Sequence, residues 1–271
     1  MKIWFITGTS RGFGRDWTEA ALERGDKVAA TARNTDTLQD LAERFGDSIL
    51  PLKLDVANRD DCFAAVKAAH AHFGCLDVVV NNAGYGQFGM VEEISEDEAR
   101  RQMETNFFGA LWVTQAALPY LRAQSGGHIL QVSSIGGVAA FPNLSMYHAS
   151  KWALEGFSES LSQEVAEFGI HVTLIEPGPF GTDWSGPSAA HATPMAAYDG
   201  ARERRAASRS GWKSGDPKAT SAAVFAVVDA ENPPLRLLLG EFAANFVAPL
   251  YAKRLEVWAE WKEISRAADG E

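Results

Sequence analysis

A tyrosine and a lysine near the middle of the chain have the types and spacing of an acid–base pair. Tyr147 and Lys151 are four residues apart, so on a helix they share one face, one turn apart. A free tyrosine has a pKa of about 10 and is a poor base at neutral pH. A neighbouring ammonium lowers that pKa and suits the hydroxyl to proton transfer. The same spacing also occurs by chance on exposed helices.

Two serines precede that pair, at the end of a predicted strand. Ile129–Ser133 is an apolar run, and Ser134 follows it, thirteen residues before Tyr147. Ligands of open α/β sheets collect beyond the carboxyl ends of strands. A hydroxyl there can donate to a carbonyl oxygen and stabilise the charge that develops on it. Ser133 and Ser134 are both candidates for this role. A serine at this strand end favours a catalytic role for Tyr147 and Lys151 over a chance occurrence of their spacing.

A glycine-rich turn follows the first apolar run. Thr7–Gly14 reads TGTSRGFG, and a helical pattern comes after it. Glycines permit a tight turn and a close approach of the backbone to a pyrophosphate, while the helix N-terminus offers N–H groups and a positive dipole end. A glycine cluster alone could be an ordinary turn. Its position between a strand and a helix favours a phosphate site.

These residues need a framework, and the chain alternates short apolar runs with amphipathic segments. The predicted strands are Ile3–Thr7, Val28–Ala32, Ile49–Leu54, Val78–Asn81, Ile129–Ser133, Val172–Glu176 and Leu235–Leu239. The predicted helices are Gly14–Arg24, Thr37–Phe45, Asp60–Phe73, Glu96–Ala123, Tyr147–Phe168, Lys218–Asp229 and Val247–Ser265. Runs without strict alternation indicate strands buried on both faces. We therefore expect one α/β domain, a doubly wound parallel sheet of about seven strands.

Residues 177–216 interrupt the alternation. They are rich in Gly, Pro, Ser and Ala, with isolated aromatics and arginines. A loop this long inside a compact domain is usually functional or mobile. Because glycines and prolines flank Trp184, Tyr198 and Trp212, we expect about residues 184–215 to form a lid over bound substrate.

Taken together, the signatures follow one order along the chain: TGTSRGFG, Asn81–Gly84 as NNAG, Asn106 in NFFG, Ser133–Ser134, Tyr147–Lys151 as YHASK, and Pro177–Gly178. They resemble the short-chain dehydrogenase/reductase family, firmly over about residues 2–183 and by general layout beyond. The resemblance implies a single Rossmann-fold domain over residues 1–271. It also implies hydride transfer between a nicotinamide cofactor and a carbonyl or secondary alcohol carbon.

The same resemblance implies residue roles. Ser134, rather than Ser133, polarises the carbonyl oxygen, Tyr147 supplies the proton, and Lys151 tunes Tyr147 and holds the nicotinamide ribose. Asn106 becomes a fourth catalytic member, holding a water that links Lys151 to solvent, although by itself it could be a solvated helix position. The implied cofactor-binding residues are Gly8, Ser10, Arg11, Gly12, Phe13, Gly14, Arg33, Asp55, Val56, Asn82, Ala83, Gly84, Tyr147, Lys151, Pro177, Gly178 and Thr182.

The end of the second predicted strand bears on cofactor choice. A site that prefers NAD places an acid there, whereas this chain has Ala32 followed by Arg33. Arg11 lies in the glycine loop on the same side. Each arginine alone could be a solvated surface residue, but two guanidinium groups without an acid suit a 2′-phosphate. We therefore predict NADP(H). Asp55 resembles the family's adenine-side residue, or it caps the next helix.

The implied substrate pocket is apolar and aromatic, although many of its residues could equally be core. It suits a hydrophobic ketone or secondary alcohol, steroid-like, retinoid-like or polycyclic. Its residues are Tyr85, Phe88, Val138, Phe141, Leu144, Phe180 and Trp184.

Four arginines lie further along the predicted lid, Arg202, Arg204, Arg205 and Arg209. They could face an anionic substrate. The commoner arrangement is a solvated helical face.

Composition and net charge limit the functional classes to which the protein can belong. The chain has 271 residues, of which 46% are hydrophobic, and a formal net charge of -10, whereas nucleic-acid binders are usually basic. Cys62 and Cys75 form no C-x-x-C pair and the histidines no cluster, so we expect neither a disulfide nor a metal. We expect neither a signal peptide nor a membrane span. We expect a cytoplasmic protein that binds a small molecule, not nucleic acid or membrane.

Two further expectations concern assembly and alternatives. Members of the family generally pair through the helices that carry Asn106 and Tyr147, which implies a homo-oligomer, a tetramer or a dimer. The alternative function is a catalytically silent NADPH-binding regulatory protein of the same fold. Loss of Tyr147, Lys151 or Ser134 would favour it, and all three are present. A sugar epimerase or dehydratase would be longer and usually has another glycine spacing.

Overall fold

A seven-stranded parallel sheet forms the centre of the computed structural model, which describes residues 1–186, 188–209 and 211–270. The strands are β1 (Ile3–Ile6), β2 (Lys27–Ala32), β3 (Ile49–Lys53), β4 (Val78–Asn81), β6 (Gly127–Val132), β7 (Ile170–Pro177) and β9 (Arg236–Leu239). Their order is β3-β2-β1-β4-β6-β7-β9. The predicted sheet is confirmed, and each predicted strand overlaps an observed one. A separate parallel pair joins β5 (Gln87–Phe88) to β8 (Ala190–His191).

Ten α-helices accompany these strands in the described part of the chain. They are α1 (Gly12–Glu23), α2 (Gln39–Phe45), α3 (Arg59–Phe73), α4 (Glu96–Met103), α5 (Gly109–Ala123), α6 (Ser145–Glu164), α7 (Asp199–Arg209), α8 (Thr220–Val228), α9 (Glu241–Glu260) and α10 (Lys262–Ala267).

Both faces of the sheet are buried, which explains the continuous apolar runs in the sequence. In β1, Ile3 and Phe5 pack into the core beneath α3, α5 and α6. Trp4 and Ile6 point to the opposite face and pack with residues of α1, α2 and α8. Successive side chains of a strand alternate between faces, so a strand covered on both sides needs apolar residues at every position.

Two predicted features are wrong in detail. The single helix expected over Glu96–Ala123 contains a wider π-helical turn, Glu104–Phe108, which separates α4 from α5. One wide turn leaves the apolar spacing almost unchanged, so the pattern could not reveal it. Helix α7 lies inside the segment expected to be a loop. None of its residues is buried, so it has no apolar stripe by which periodicity could detect it.

The strand order reverses between β1 and β4, and a crevice opens there at the carboxyl ends of the strands. The loop after β1 and the loop after β4 meet at this point. Asn82 Nδ2 donates to the carbonyl oxygens of Thr7 (2.8 Å) and Gly8 (3.1 Å). The topology thereby places the glycine turn beside the NNAG segment.

Among the described residues, no helix is both long and apolar enough to cross a bilayer.

A buried histidine in the sheet predicts an acid-dependent loss of stability. His128 of β6 lies 2.9 Å from Thr173 Oγ1, and that hydroxyl donates to the Pro234 carbonyl at 2.7 Å. The ring nitrogen must therefore be the donor to Thr173. Burial, together with the neighbouring His171 and Lys2, lowers the pKa of His128 from 6.5 to about 3.

Between these two pKa values the unfolded chain binds a proton that the native protein does not. The stability that His128 contributes is complete above pH 6.5 and is lost as the pH falls towards 3, at up to about 1.4 kcal/mol per pH unit. We expect urea unfolding of His128→Gln to depend less steeply on pH than that of the wild type. His72→Gln, at an exposed position, is the control. Equal slopes in wild type and His128→Gln would contradict the prediction.

Candidate active site

A cavity of about 850 Å³ lies at the carboxyl edge of the sheet. Most of the predicted site residues line it: Gly8, Ser10, Arg11, Gly12, Phe13, Arg33, Asp55, Val56, Asn82, Ala83, Gly84, Tyr85, Ser134, Phe141, Leu144, Tyr147, Lys151, Pro177, Gly178, Phe180, Thr182 and Trp184. Gly14, Asn106, Phe88 and Val138 are not among the residues that line it.

Ser134 and Tyr147 meet in this cavity. Ser134 follows β6 in an extended conformation, and its Oγ accepts a hydrogen bond from Gly136 N at 2.9 Å. That bond leaves the hydroxyl proton free to donate, and the effect of Ser134 is to lower the pKa of Tyr147. Ser133 Oγ instead points away towards Gly137 and has no hydrogen-bond partner within the described residues. Of the two serines, Ser134 is the one that affects the pKa of Tyr147.

The Tyr147 side chain is buried, with 6% exposed. Burial raises the pKa of Tyr147 to about 12, and Ser134 offsets only part of this rise. The net shift is therefore upward, because burial outweighs the groups that favour the phenolate, and the tuning of Tyr147 by Lys151 stays a prediction. The Lys151 ammonium lies 5.8 Å from the centre of the Tyr147 ring and donates to another group. At neutral pH the phenol is protonated and can act as an acid.

Lys151 is also buried, and its Nζ donates to the Val132 carbonyl at 2.7 Å. Val132 is the last residue of β6, so this bond fastens helix α6 to the strand end that precedes Ser134. Burial lowers the pKa of Lys151 to about 8, although the negative charge of Glu155 opposes the shift. The ammonium is therefore poised to lose its proton slightly above neutral pH.

Sequence reasoning missed a buried charge cluster behind Lys151. Arg236 Nε lies 3.0 Å from Glu155 Oε2 and 3.5 Å from Glu176 Oε1, and the guanidinium also contacts Glu159 at 2.7 Å. Burial, with the Glu155 charge, raises the pKa of Glu176 to about 8. Two signals were available: Glu155 is one helical turn after Lys151, and Glu176 is an acid inside an apolar strand.

Asn106 is buried in the π-helical turn rather than in an α-helix. Its Oδ1 accepts from Tyr85 N at 3.1 Å, and its Nδ2 donates to Tyr85 O at 3.0 Å and Ser150 Oγ at 3.1 Å. The side chain thus joins the loop after β4 to helix α6. π-turns are often found at functional sites because they reposition a side chain within a helix. Its water-holding role stays a prediction.

A neutral histidine fixes the loop on the other side of Tyr147. His148 Nδ1 lies 2.9 Å from the Gly136 carbonyl, and Phe141 N donates to Nε2 at 3.0 Å. Nε2 must therefore be the acceptor and Nδ1 the protonated nitrogen. Burial lowers the pKa of His148, which keeps the ring neutral. His148 therefore holds Gly136 and Phe141 in place, and both of these residues line the cavity.

The glycine turn has the geometry of a phosphate cradle. Gly8 and Gly12 have φ values of +69° and +57°, a region that side chains rarely adopt. A Cβ on Gly14 would lie 2.5 Å from the Gly8 carbonyl oxygen and would also strike the Asn82 amide. No side chain of the described residues caps the start of helix α1, so its N–H groups and dipole are available to an anion. These residues fit a dinucleotide pyrophosphate.

Two cations stand at the end of the cavity beside this turn. Arg11 and Arg33 are exposed and line the cavity, while Ala32 ends β2. In the described part of the chain neither arginine forms an ion pair, whereas the nearby Arg15 is bound to Asp40. Asp55 also lines this end. It does not cap α3, because Asn58 takes that position and accepts from Asp60 N and Asp61 N.

The opposite end of the cavity is aromatic. Trp184 packs on Tyr147 with ring centroids 4.8 Å apart, and Phe88 packs behind Trp184 at 5.5 Å. Phe141 faces Trp212 at 5.9 Å. Phe180 lines the cavity but also packs against Phe13 of helix α1, and Val138 is core. Besides the predicted set, the cavity is lined by Arg101, Arg205, Arg209, Trp212, Gln87, Glu98 and Glu104.

The predicted lid segment crosses this aromatic end. Strand β8 joins it to β5, and Tyr198 and Arg202 bond to Glu92 and Glu93 respectively. Pro187 and Ser210 lie outside the described residues. Movement of the segment stays a prediction.

Among the described residues, no three His, Cys, Asp or Glu side chains are grouped so that they could hold a metal ion.

Comparison with known proteins gives one consistent answer. A family model described as short chain dehydrogenase matches residues 2–192. An oxidoreductase of Botryotinia fuckeliana is 44% identical over 275 residues, covering 98% of this chain and 99% of that protein.

Solved structures agree. The crystal structure of a short-chain dehydrogenase from Streptomyces avermitilis has a TM-score of 0.92 and 37% identity, covering 99% of this chain and all of that chain. An alcohol dehydrogenase from Thermococcus sibiricus, complexed with 5-hydroxy-NADP, has a TM-score of 0.75 and 26% identity, covering 88% of this chain and 96% of that chain.

The ammonium of Lys151 provides a direct test of the site's electrostatics. Its pKa is lowered to about 8 by burial and raised in part by Glu155. Glu155→Gln removes a buried negative charge, so the pKa of Lys151 should fall further. Glu159→Gln is the control, because Glu159 binds the same Arg236 but is half exposed.

The measurement is NMR titration of ¹³Cε-labelled lysine, with the Lys151 signal assigned by Lys151→Arg. We expect a midpoint near 8 in the wild type, a lower one in Glu155→Gln and no change in Glu159→Gln. A wild-type midpoint at the ordinary value of 10.5 would contradict the burial argument.

Proposed function

The chain belongs to the short-chain dehydrogenase family, and from that premise we propose that it is an NADP(H)-dependent oxidoreductase acting on a carbonyl or secondary alcohol carbon. The observation that carries the proposal is that Ser134, Tyr147 and Lys151 line one cavity, with the Lys151 ammonium bound to the end of the strand that precedes Ser134. The nicotinamide, when bound, supplies or accepts the hydride.

Ser134, Tyr147 and Lys151 each contribute one part of the remaining chemistry. Ser134 donates to the carbonyl oxygen of the substrate and stabilises the charge that develops there. Tyr147, protonated because burial raises its pKa, gives its proton to the same oxygen. The Lys151 ammonium stabilises the phenolate that Tyr147 leaves behind. One Nζ proton is bound by Val132, which leaves two for the ribose. A protonated Tyr147 suits reduction.

Arg11 and Arg33 support the choice of NADP(H). They line the end of the cavity beside the glycine turn, and no acid of the described residues pairs with them. Ala32 stands where an acid would bind the ribose hydroxyls of NAD. The Thermococcus sibiricus enzyme, a structural neighbour, carries an NADP derivative. A 2′-phosphate would give both guanidinium groups a partner.

The aromatic end of the cavity supports a hydrophobic ketone as substrate, steroid-like, retinoid-like or polycyclic. Phe141, Leu144 and Trp184 provide flat apolar surfaces next to Tyr147. Such walls bind by excluding water, and a few polar groups set orientation.

A homo-oligomer in the cytoplasm completes the proposal. We expect the subunits to pair through the helices that carry Asn106 and Tyr147, as members of the family generally do.

Removing the Tyr147 hydroxyl should abolish turnover. In Tyr147→Phe the ring still packs on Trp184, but no proton donor remains, so the rate of NADPH oxidation with a panel of ketones should fall by at least about a hundredfold. NADPH affinity should stay within a few fold by calorimetry. Tyr120→Phe, on helix α5 away from the cavity, is the control. A Tyr147→Phe variant that keeps about a tenth of the activity would contradict the assignment, and a wild type inactive on every ketone would favour the regulatory alternative.

Cofactor selectivity should depend on Arg33. A charge-assisted bond to the 2′-phosphate contributes about 1.5–3 kcal/mol, or roughly 10–150-fold in affinity, and solvent exposure pulls this towards the lower end. Arg33→Ala should weaken NADPH binding by several fold and leave NADH nearly unchanged. Ala32→Asp should go further, because it repels the phosphate and accepts from the free ribose hydroxyls. The double variant should prefer NADH.

The measurement is kcat/KM for both cofactors. Lys53→Ala, at an exposed cation that ends the neighbouring strand β3, is the control. Equal weakening of NADPH and NADH by Arg33→Ala, or a wild type that prefers NADH, would show that Arg33 does not bind the phosphate.

A further inference from the structure

The four arginines of helix α7 lie in three different environments. Arg202 is paired with Glu93 at 2.6 Å and with Asp199 at 2.9 Å. Arg204 is exposed to solvent. Arg205 and Arg209, one helical turn apart, are half-buried and line the cavity. The solvated helical face favoured by the sequence therefore describes Arg204, but not Arg205 or Arg209.

Aromatic rings hold these two guanidinium groups in place. Arg205 lies 4.6 Å from the centre of the Phe141 ring and 5.5 Å from that of Trp212. Arg209 lies 5.6 Å from the same Trp212 ring. A guanidinium that stacks on a ring keeps its N–H edges free for a planar acceptor. Both side chains are thus positioned at the cavity without using their hydrogen-bonding capacity on the rings.

Among the described residues, neither cation has an anionic partner. Within residues 1–186, 188–209 and 211–270, no carboxylate forms an ion pair with Arg205 or Arg209. Two like charges one turn apart on a helix repel each other, and the effect is larger where water is partly excluded. Burial, together with Arg209, lowers the pKa of Arg205. Arg101, by contrast, lines the cavity together with Glu98 and Glu104.

Location separates this pair from the cofactor end. Arg11 and Arg33 stand beside the glycine turn, where the 2′-phosphate is proposed. Arg205 stands on Phe141, whose backbone N–H is bound by His148, the neighbour of Tyr147. A molecule that reaches Arg205 from Tyr147 therefore passes along the Phe141 wall, on the substrate side of the catalytic group.

We infer that Arg205 and Arg209 bind an oxyanion group of the substrate, a carboxylate or a phosphate, so that the substrate is a ketone with an apolar body and an anionic end. This inference rests on the proposed function and narrows it. The carbonyl lies at Ser134 and Tyr147, the apolar body along Phe141 and Trp184, and the oxyanion between the two guanidinium groups. An oxyanion there would relieve their mutual repulsion and accept charge-assisted hydrogen bonds. Neutral polycyclic ketones would leave both cations unpaired.

The test compares charged and neutral forms of one ketone. The probes are ω-oxo-ω-phenylalkanoates of increasing chain length, their methyl esters, and the matching keto-alkyl phosphates, each assayed with NADPH. At the best chain length, kcat/KM should be about tenfold or more higher for an anionic form than for its ester. Arg205→Gln/Arg209→Gln should remove this preference while leaving kcat/KM for the ester within a few fold. Arg204→Gln, on the same helix, is the control and should behave as the wild type.

Binding provides a second readout that does not need turnover. Quenching of tryptophan fluorescence in the NADPH-loaded enzyme should show that the anionic probe binds more tightly than its ester, and only in proteins with Arg205 and Arg209. The single variants Arg205→Gln and Arg209→Gln each give an intermediate loss if the double variant does not fold.

The outcomes separate the two proposals. If ketones are reduced but acid and ester are equivalent, or if the double variant weakens both equally, the oxyanion site is wrong and the oxidoreductase stands. If no ketone is reduced but anionic probes bind in an arginine-dependent way, the site stands and the proposed reaction is wrong. Preference for phosphate over carboxylate, or the reverse, identifies the group.

Discussion

The buried ammonium of Lys151 is the interaction on which the rest of the site depends. Its bond to the Val132 carbonyl joins the middle of the catalytic helix to the end of the central strand β6. Ser134 follows that strand end, and Tyr147 precedes Lys151 by one turn of the helix, so a single bond fixes both hydroxyls relative to each other. An ammonium held in so little water is expensive to bury, and the structure compensates with a carbonyl dipole and with the charge of Glu155.

The Glu155 charge that stabilises the Lys151 ammonium belongs to a larger cluster of charged side chains. Glu155 and Glu176 flank Arg236, which belongs to the edge strand β9, and Glu159 continues the cluster to the surface. The carboxylate that stabilises Lys151 is therefore itself held by a cation from the last strand of the sheet. Removing one member of a buried group of this kind leaves uncompensated charges. The C-terminal part of the chain, which carries no recognised catalytic motif, thus contributes to the electrostatics of the catalytic group.

More cations than acids line the cavity, although acids outnumber cations in the whole protein. The chain carries a formal net charge of -10, yet Arg11 and Arg33 stand at one end of the cavity, and Arg205 and Arg209 at the other. Cations gathered at a cleft attract anions to it even when the overall charge is negative, because the local field dominates at short range. Both ends are therefore suited to anionic groups, with the uncharged reacting centre between them.

The sequence by itself determined the parallel sheet, because strand periodicity is a local property of the chain. Local spacing also singled out the glycine turn, Tyr147 and Lys151, whereas Ser134 was chosen over Ser133 through the family resemblance. The sequence did not determine the π-helical turn around Asn106 or helix α7, since one wide turn leaves the apolar spacing intact and α7 buries no apolar stripe. The protonation of Tyr147 and the division of the four arginines of α7 were decided only by the tertiary structure. Burial and proximity depend on which distant segments pack against a side chain: Val132 and Glu155 set the state of Lys151, and Phe141 and Trp212 hold Arg205 at the cavity while Glu93 takes Arg202 away from it.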